Sequence, residues 1–170
     1  PARDFTIALT NPSSRVAVVA PTSVSIHIND VDCNTVTPIS VGQTLAGDLG
    51  IANTTYCHGG VRGAEYNTVR YTFTGTAGDV VGFDVRSTTP GPAVLDTYVY
   101  LLAANRTILA ENDDIQSGIL RDSRIVHFTL PATGTYYIDV TTWSPTSDAT
   151  GTYNIHLFGC GSYEPGPTCN

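Results

Sequence analysis

At 170 residues the chain is long enough for one domain with a proper core, or for one domain plus a small appendage. Its formal net charge is −7 and its pI is near 4.7. All eight basic residues are arginines scattered singly, which argues against nucleic acid as a partner, because phosphate recognition needs concentrated positive charge. No stretch approaches the roughly 20 apolar residues of a membrane-spanning helix. No charged-then-apolar leader opens the chain, and a start at Pro1 without methionine is expected of a processed or excised piece.

Threonine, valine and glycine are the commonest residues, lysine and methionine are absent, and no window carries helical periodicity. An all-β protein is expected. In chain order, Asp4–Thr10 places Phe5, Ile7 and Leu9 on one face, and Ser23–Asn29 does the same with Val24, Ile26 and Ile28, across a turn at Asn11-Pro12-Ser13-Ser14. Two such strands cannot shelter their apolar faces alone. They are expected to fold back on the rest of the chain, to be a remnant at an excision boundary, or to complete a neighbouring subunit by strand addition. A polar connection from Asp32 to about Tyr66 follows, with one strand expected at Ile39–Leu45.

The core strands then arrive between turn residues: Val69, Tyr71 and Phe73; Val81, Phe83 and Val85; a hairpin from Asp96 through the turn at Ala104-Asn105-Arg106 to Asn112-Asp113-Asp114; Val126, Phe128 and Leu130; Tyr136, Ile138 and Val140; and Tyr153, Ile155 and Leu157. About eight strands without helices predict two packed antiparallel sheets, a β-sandwich of jelly-roll or immunoglobulin-like kind with an N-terminal two-strand extension. The domain boundaries read as 1–32, 33–158 and a tail at 159–170.

The hairpin DTYVYLLAANRTILAENDD, followed by Ser123-Arg124-Ile125 and by Gly134-Thr135-Tyr136-Tyr137-Ile138-Asp139-Val140, resembles the central signature of the bacterial pre-peptidase C-terminal domain over roughly Pro38 to Phe158. The resemblance implies a β-sandwich attached to secreted proteases and other exported proteins, itself non-catalytic and often carrying calcium at the acidic turn. Upstream, the Leu-Thr-Asn-Pro-Ser turn and the Val-Ser-Ile-His-Ile strand closing on Asn29-Asp30-Val31-Asp32 resemble the last strands of a Calx-beta domain. That family binds calcium at strand-end turns, which makes Asn29, Asp30 and Asp32 a second acidic cluster.

If the hairpin strands pair, Asp96 at the start of one lies near Asn112, Asp113 and Asp114 at the end of the other, with Asp122 close in sequence. Converging hard oxygens suit Ca²⁺, which takes six to eight of them. The alternative is a turn capped by its own side chains. Four cysteines allow three pairings, and spacing favours Cys33–Cys57 and Cys160–Cys169, each bracketing a turn-rich loop, in an oxidising compartment. A zinc site is less apt, because there is no Cys-x-x-Cys and His58 beside Cys57 is a single adjacent pair.

Catalytic chemistry finds little support. No Gly-x-Ser-x-Gly elbow is present, His58-Gly59-Gly60 reads more simply as a turn, and His27, His127 and His156 fall on outward faces of strands. Most tyrosines alternate with core aliphatics, whereas Tyr137 and Trp143 are expected to be exposed, as an aromatic surface for sugar rings or protein fibres. Asn53 and Asn105 open glycosylation sequons. The chain thus reads as an extracellular or cell-surface non-enzyme, with three expectations for its role. It is a self-associating subunit of a filament or adhesive assembly using Phe5, Ile7, Leu9, Val24, Ile26 and Ile28; or a calcium-dependent module binding carbohydrate or protein for a secreted hydrolase; or a maturation segment of a secreted protease.

Overall fold

A computed structural model describes residues 3–8, 23–28, 35–50, 57–89, 95–145 and 150–159, the backbone alone at 3–8, 23–28, 57–59, 64 and 65. The chain divides into two compact units, Pro1–Asp32 and Cys33–Asn170. In the first, β1 (Arg3–Ala8) pairs antiparallel with β2 (Ser23–Ile28), setting Phe5 opposite Ile26 and Ile7 opposite Val24. The alternating apolar positions therefore share one face by register. Leu9, Asn29, Asp30, Asp32, Asn53, Cys33, Cys160 and Cys169 lie outside the described residues, and of Cys57 only the backbone is described, so both expected cysteine pairings fall outside as well.

The second unit is an antiparallel-dominated sandwich without helix among the described residues. One sheet runs β10 (Ser123–Thr129), β7 (Val80–Ser87), β12 (Thr152–Gly159), β4 (Thr44–Asp48). The other runs β3 (Thr37–Pro38), β6 (Gly63–Gly75), β11 (Gly134–Thr142), β8 (Thr97–Leu102), β9 (Ile108–Asn112), with β5 (Cys57–Gly60) also paired to β6. Period-two alternation sends Val69, Tyr71 and Phe73 of β6 and Tyr136, Ile138 and Val140 of β11 toward Val81, Phe83 and Val85 of β7 and Tyr153, Ile155 and Leu157 of β12. Each such buried side chain contributes roughly 1.5–3 kcal/mol before entropy is charged against it. The Tyr71 and Tyr153 hydroxyls meet across the sheets at 2.9 Å, so two buried phenols satisfy each other. Tyr153 fits because its register partner in β4 is Gly47, where a Cβ would overlap the ring.

Two expectations are corrected. In place of the single strand expected at Ile39–Leu45 lie two strands in different sheets, β3 ending at Pro38 and β4 beginning at Thr44. They are separated by a turn in which the Gln43 N–H donates to the Ser40 carbonyl at 2.9 Å and Gly42 takes φ +85°. In β10, Val126 was expected inward with Phe128 and Leu130. It is instead 44% exposed, because a bulge between Ile125 and Phe128 shifts the register and puts His127 at φ 54°. Ile125 takes the inward place.

The strand β8 is buried on both sides. Val99 and Leu101 face the core cluster, and Tyr100 and Leu102, on the opposite face, are buried too. That outer face also holds Arg70 and Asp139, register partners in β6 and β11. Asp139 accepts two hydrogen bonds from Arg70, each 2.6 Å, with side chains 3% and 0% exposed.

Candidate functional site

The loop from β9 to β10 crosses from one sheet to the other, and buried hydroxyls hold it. Ser123 Oγ, fully buried, lies 2.6 Å from the Asp113 carbonyl, 2.8 Å from the Thr97 carbonyl and 2.7 Å from the Thr97 hydroxyl. The Arg124 N–H donates to Asn112 Oδ1 at 2.8 Å, and the Asn112 amide donates to the Asp114 carbonyl at 3.3 Å. These bonds fix the acidic turn beside the start of β8, where Asp96 stands.

Asp96, Asp113 and Asp114 each offer a carboxylate oxygen, and the three oxygens lie within 4.8 Å of one another. Asp113 Oδ1 is buried with no hydrogen-bond partner. Burial first, then the charges of Asp114 and Asp96, push the Asp113 carboxyl up to about 6, against the opposing pull of Arg62 and Arg121. Asp96 forms an ion pair with Arg121 at 3.3 Å, and Asp114 Oδ2 accepts the Gly118 N–H at 3.0 Å. Three partly buried carboxylates, one with an orphaned buried oxygen, are a donor set that fits a hard divalent cation.

Of the five residues expected to converge, the fold brings these three together. Asn112 has both ends of its amide engaged in holding the loop. Asp122 turns to β7, accepting the Ser87 N–H at 2.8 Å and lying 3.5 Å from Arg86. Asn105 is exposed in the β8–β9 turn, where its Oδ1 accepts the Thr107 N–H at 3.1 Å. Tyr137 is half-buried on the outer face between Arg70 and Arg106, each 5.8 Å from its ring.

Trp143 is 51% exposed and adjoins the acidic turn, since its N–H donates to the Asp96 carbonyl at 3.0 Å. Its ring stacks on Tyr98 at 6.0 Å and 18°. Arg62, from the two-residue turn between β5 and β6, completes this surface. Its guanidinium lies 4.5 Å from the Tyr98 ring, 4.8 Å from Tyr66 and 5.0 Å from Trp143, and donates to the Thr142 carbonyl at 3.3 Å. Burial, then the charge of Glu111, raises the Tyr98 phenol above its ordinary range, and Asp113 adds to the effect. Sequence reasoning named Trp143 but missed Arg62 and Tyr66. Only the glycines bracketing Val61-Arg62 marked a tight turn there, and nothing marked its destination.

No helix among the described residues is long and apolar enough to cross a membrane. Residues 67–142 match the family model of the bacterial pre-peptidase C-terminal domain. A probable subtilase-type serine protease of Deinococcus radiodurans is 33% identical over 132 residues, which are 75% of this chain and 17% of that protease's length. Among solved structures, the pre-peptidase C-terminal domain of a Bacillus anthracis collagenase aligns over 72% of this chain and 93% of its own, at 15% identity and a TM-score of 0.49. An Aeromonas hydrophila periplasmic inhibitor of g-type lysozyme aligns over 72% and 96%, at 17% identity and a TM-score of 0.43. From within β6 to the end of β11, the span that carries the acidic turn, the chain is similar to the bacterial pre-peptidase C-terminal domain.

Proposed function

We propose that the chain is a non-catalytic, calcium-responsive binding module of an exported protein, acting outside the cytoplasm on polysaccharide or protein fibres. The observation that carries this reading is the convergence of Asp96, Asp113 and Asp114, with a buried unpartnered oxygen, beside the exposed ring of Trp143. A bound divalent cation would neutralise the mutual repulsion of these carboxylates and tie the β9–β10 loop to the start of β8. Asp113 and Asp114 would hold it from the loop and Asp96 from the strand. The half-exposed pair of Trp143 and Tyr98 offers the stacking surface. Four cysteines accord with an oxidising compartment. The match to part of a subtilase-type protease accords with a role as an accessory of a hydrolase, or as a segment removed during its maturation.

Calorimetric titration of the protein with calcium at pH 7, wild type against Asp113→Asn, tests the cation. Binding is expected for the wild type and its loss for the variant, and a wild type without heat of binding removes calcium from the reading. Retention on insoluble cellulose, chitin or collagen fibres, wild type against Trp143→Ala, tests the surface. Passage of the wild type through all three, with and without calcium, removes the fibre role.

A second reading follows from the register of β1 and β2, which aligns Phe5, Ile7, Val24 and Ile26 on one face. In it the pair is a Calx-beta-like remnant that completes a sheet in another copy, making the protein a subunit of a surface assembly. Light scattering before and after deletion of 1–32 decides it. A monodisperse monomer whose melting temperature is unmoved by the deletion sinks it.

A further inference from the structure

The guanidinium of Arg62 lies within 5.0 Å of three ring centroids, Tyr66, Tyr98 and Trp143, and has one carbonyl acceptor, Thr142. Three rings around one cation, two of them stacked on each other at 6.0 Å and 18°, make an open aromatic cage of the kind that recognises organic cations. The cation inside is the chain's own. We propose that this cage receives an arginine or lysine side chain of a partner polypeptide, and that Arg62 is an internal placeholder that must leave first. The inference rests on reading this surface as the module's binding face and names the chemistry of its ligand.

Three features support it. Arg62 sits at the tip of a two-residue hairpin turn, where Gly60 faces Gly63 in register and Gly63 takes φ 104°, so the side chain rides on a turn rather than within a strand. Displacing it breaks one hydrogen bond of 3.3 Å and three ring contacts but, among the described residues, no ion pair. The surroundings favour a positive guest, because Asp96, Asp113 and Asp114 lie next to the cage through the bond from Trp143 to Asp96, and the whole chain carries −7. The Thr142 carbonyl selects among cations. It accepts an N–H from a guanidinium or ammonium, whereas a quaternary ammonium such as a choline headgroup has none to give.

A tethered occupant competes at high effective concentration, so the free cage is a minor state and a monovalent ligand binds the wild type weakly. Removing the tether exposes the intrinsic affinity. The full chain and its Arg62→Ala variant are titrated with N-acetylarginine amide, neutral N-acetylnorleucine amide and tetramethylammonium, read by calorimetry and by the emission of Trp143, the single tryptophan. The arginine probe is expected to bind R62A at least about tenfold more tightly than wild type and to shift its emission. The norleucine probe is expected to do neither, and tetramethylammonium to bind more weakly than arginine.

A folded R62A that ignores the arginine probe overturns the proposal. So does equal affinity for the two proteins, or binding of norleucine or tetramethylammonium as strong as that of arginine. If R62A is unfolded by circular dichroism, Arg62→Gln is measured with the same outcomes, and loss of the fold in both variants makes Arg62 a structural strut and overturns its role as placeholder. Fibre retention and calcium binding are separate readouts, so a silent cage leaves the module reading standing and absent retention does not silence the cage.

Discussion

The outer faces of the two sheets each carry an arginine–aspartate pair between adjacent strands, and the pairs differ most in their exposure to solvent. In the six-stranded sheet Arg70 and Asp139 are 3% and 0% exposed, and they form a two-pronged contact. In the four-stranded sheet Arg124 grips Asp84 in the same forked manner, its second nitrogen at 3.2 Å, but Arg124 is 27% exposed and Arg86 stands 4.0 Å away as a second cation. The chemistry is the same and the solvent is not. A buried pair holds each partner hostage, since removing one strands the other in a medium that cannot hydrate it, whereas a wetted pair lets water replace the missing partner.

The largest expected effect is therefore that of Asp139→Ala, about 3–5 kcal/mol of destabilisation by urea denaturation, because the Arg70 charge stays buried. The double change Arg70→Met with Asp139→Leu sharpens the point. Its loss is expected to be less than half that of the single variant, because no charge is left behind. Asp84→Ala is expected to cost about 1–2 kcal/mol by the same measurement, since Arg124 reaches water and loses hydrogen bonds rather than hydration. A loss as large as that of Asp139→Ala would erase the contrast between the faces.

Asp113 stands between these cases, partly buried and close to like charges. Its carboxyl is raised to about 6, so without cation the folded state holds the proton more tightly than the unfolded chain does. The stabilisation is complete below about 4, the unfolded value, and fades as pH rises through about 6. Asp113→Asn is expected to remove this slope, to raise the cation-free melting temperature by a few degrees at pH 7 and to change little at pH 4, in paired melting curves with chelator. Calcium is expected to stabilise the wild type at pH 7 and not the variant. The smallest effect falls on Arg86→Ala, within about 0.5–1 kcal/mol, because that side chain is 40% exposed and its ion pairs are 3.5 Å and 4.0 Å long.

The sandwich was legible because its signal is local. Val69, Tyr71 and Phe73, or Tyr136, Ile138 and Val140, declare an inward face by alternation alone, and the structure buries them. Alternation misled at Val126, where one extra residue reverses the faces, since a bulge leaves no mark in composition. It was also silent on the burial of Asp139, because the identity of its register partner Arg70 depends on a pairing between distant strands. The same distinction governs the site. Asp96 and the run from Asn112 to Asp114 are the two ends of one hairpin, so their proximity follows from pairing β8 with β9, which sets Val99 opposite Asn112. Asp122, near in sequence, belongs to the side of β7, and Arg62 and Tyr66 arrive from a different hairpin altogether.

The bulge in β10, and a second irregularity where β9 pairs with β8, have a consequence for crowding. β9 and β10 are edge strands of their sheets, and each loses register partway, between Leu101 and Leu102 of the β8 ladder and between Ile125 and Phe128. A ragged margin offers a newcomer no unbroken row of amides to zip onto. Densely packed molecules can press against this flank without fusing into continuous sheet, because side chains alone meet there and side-chain contacts let go again.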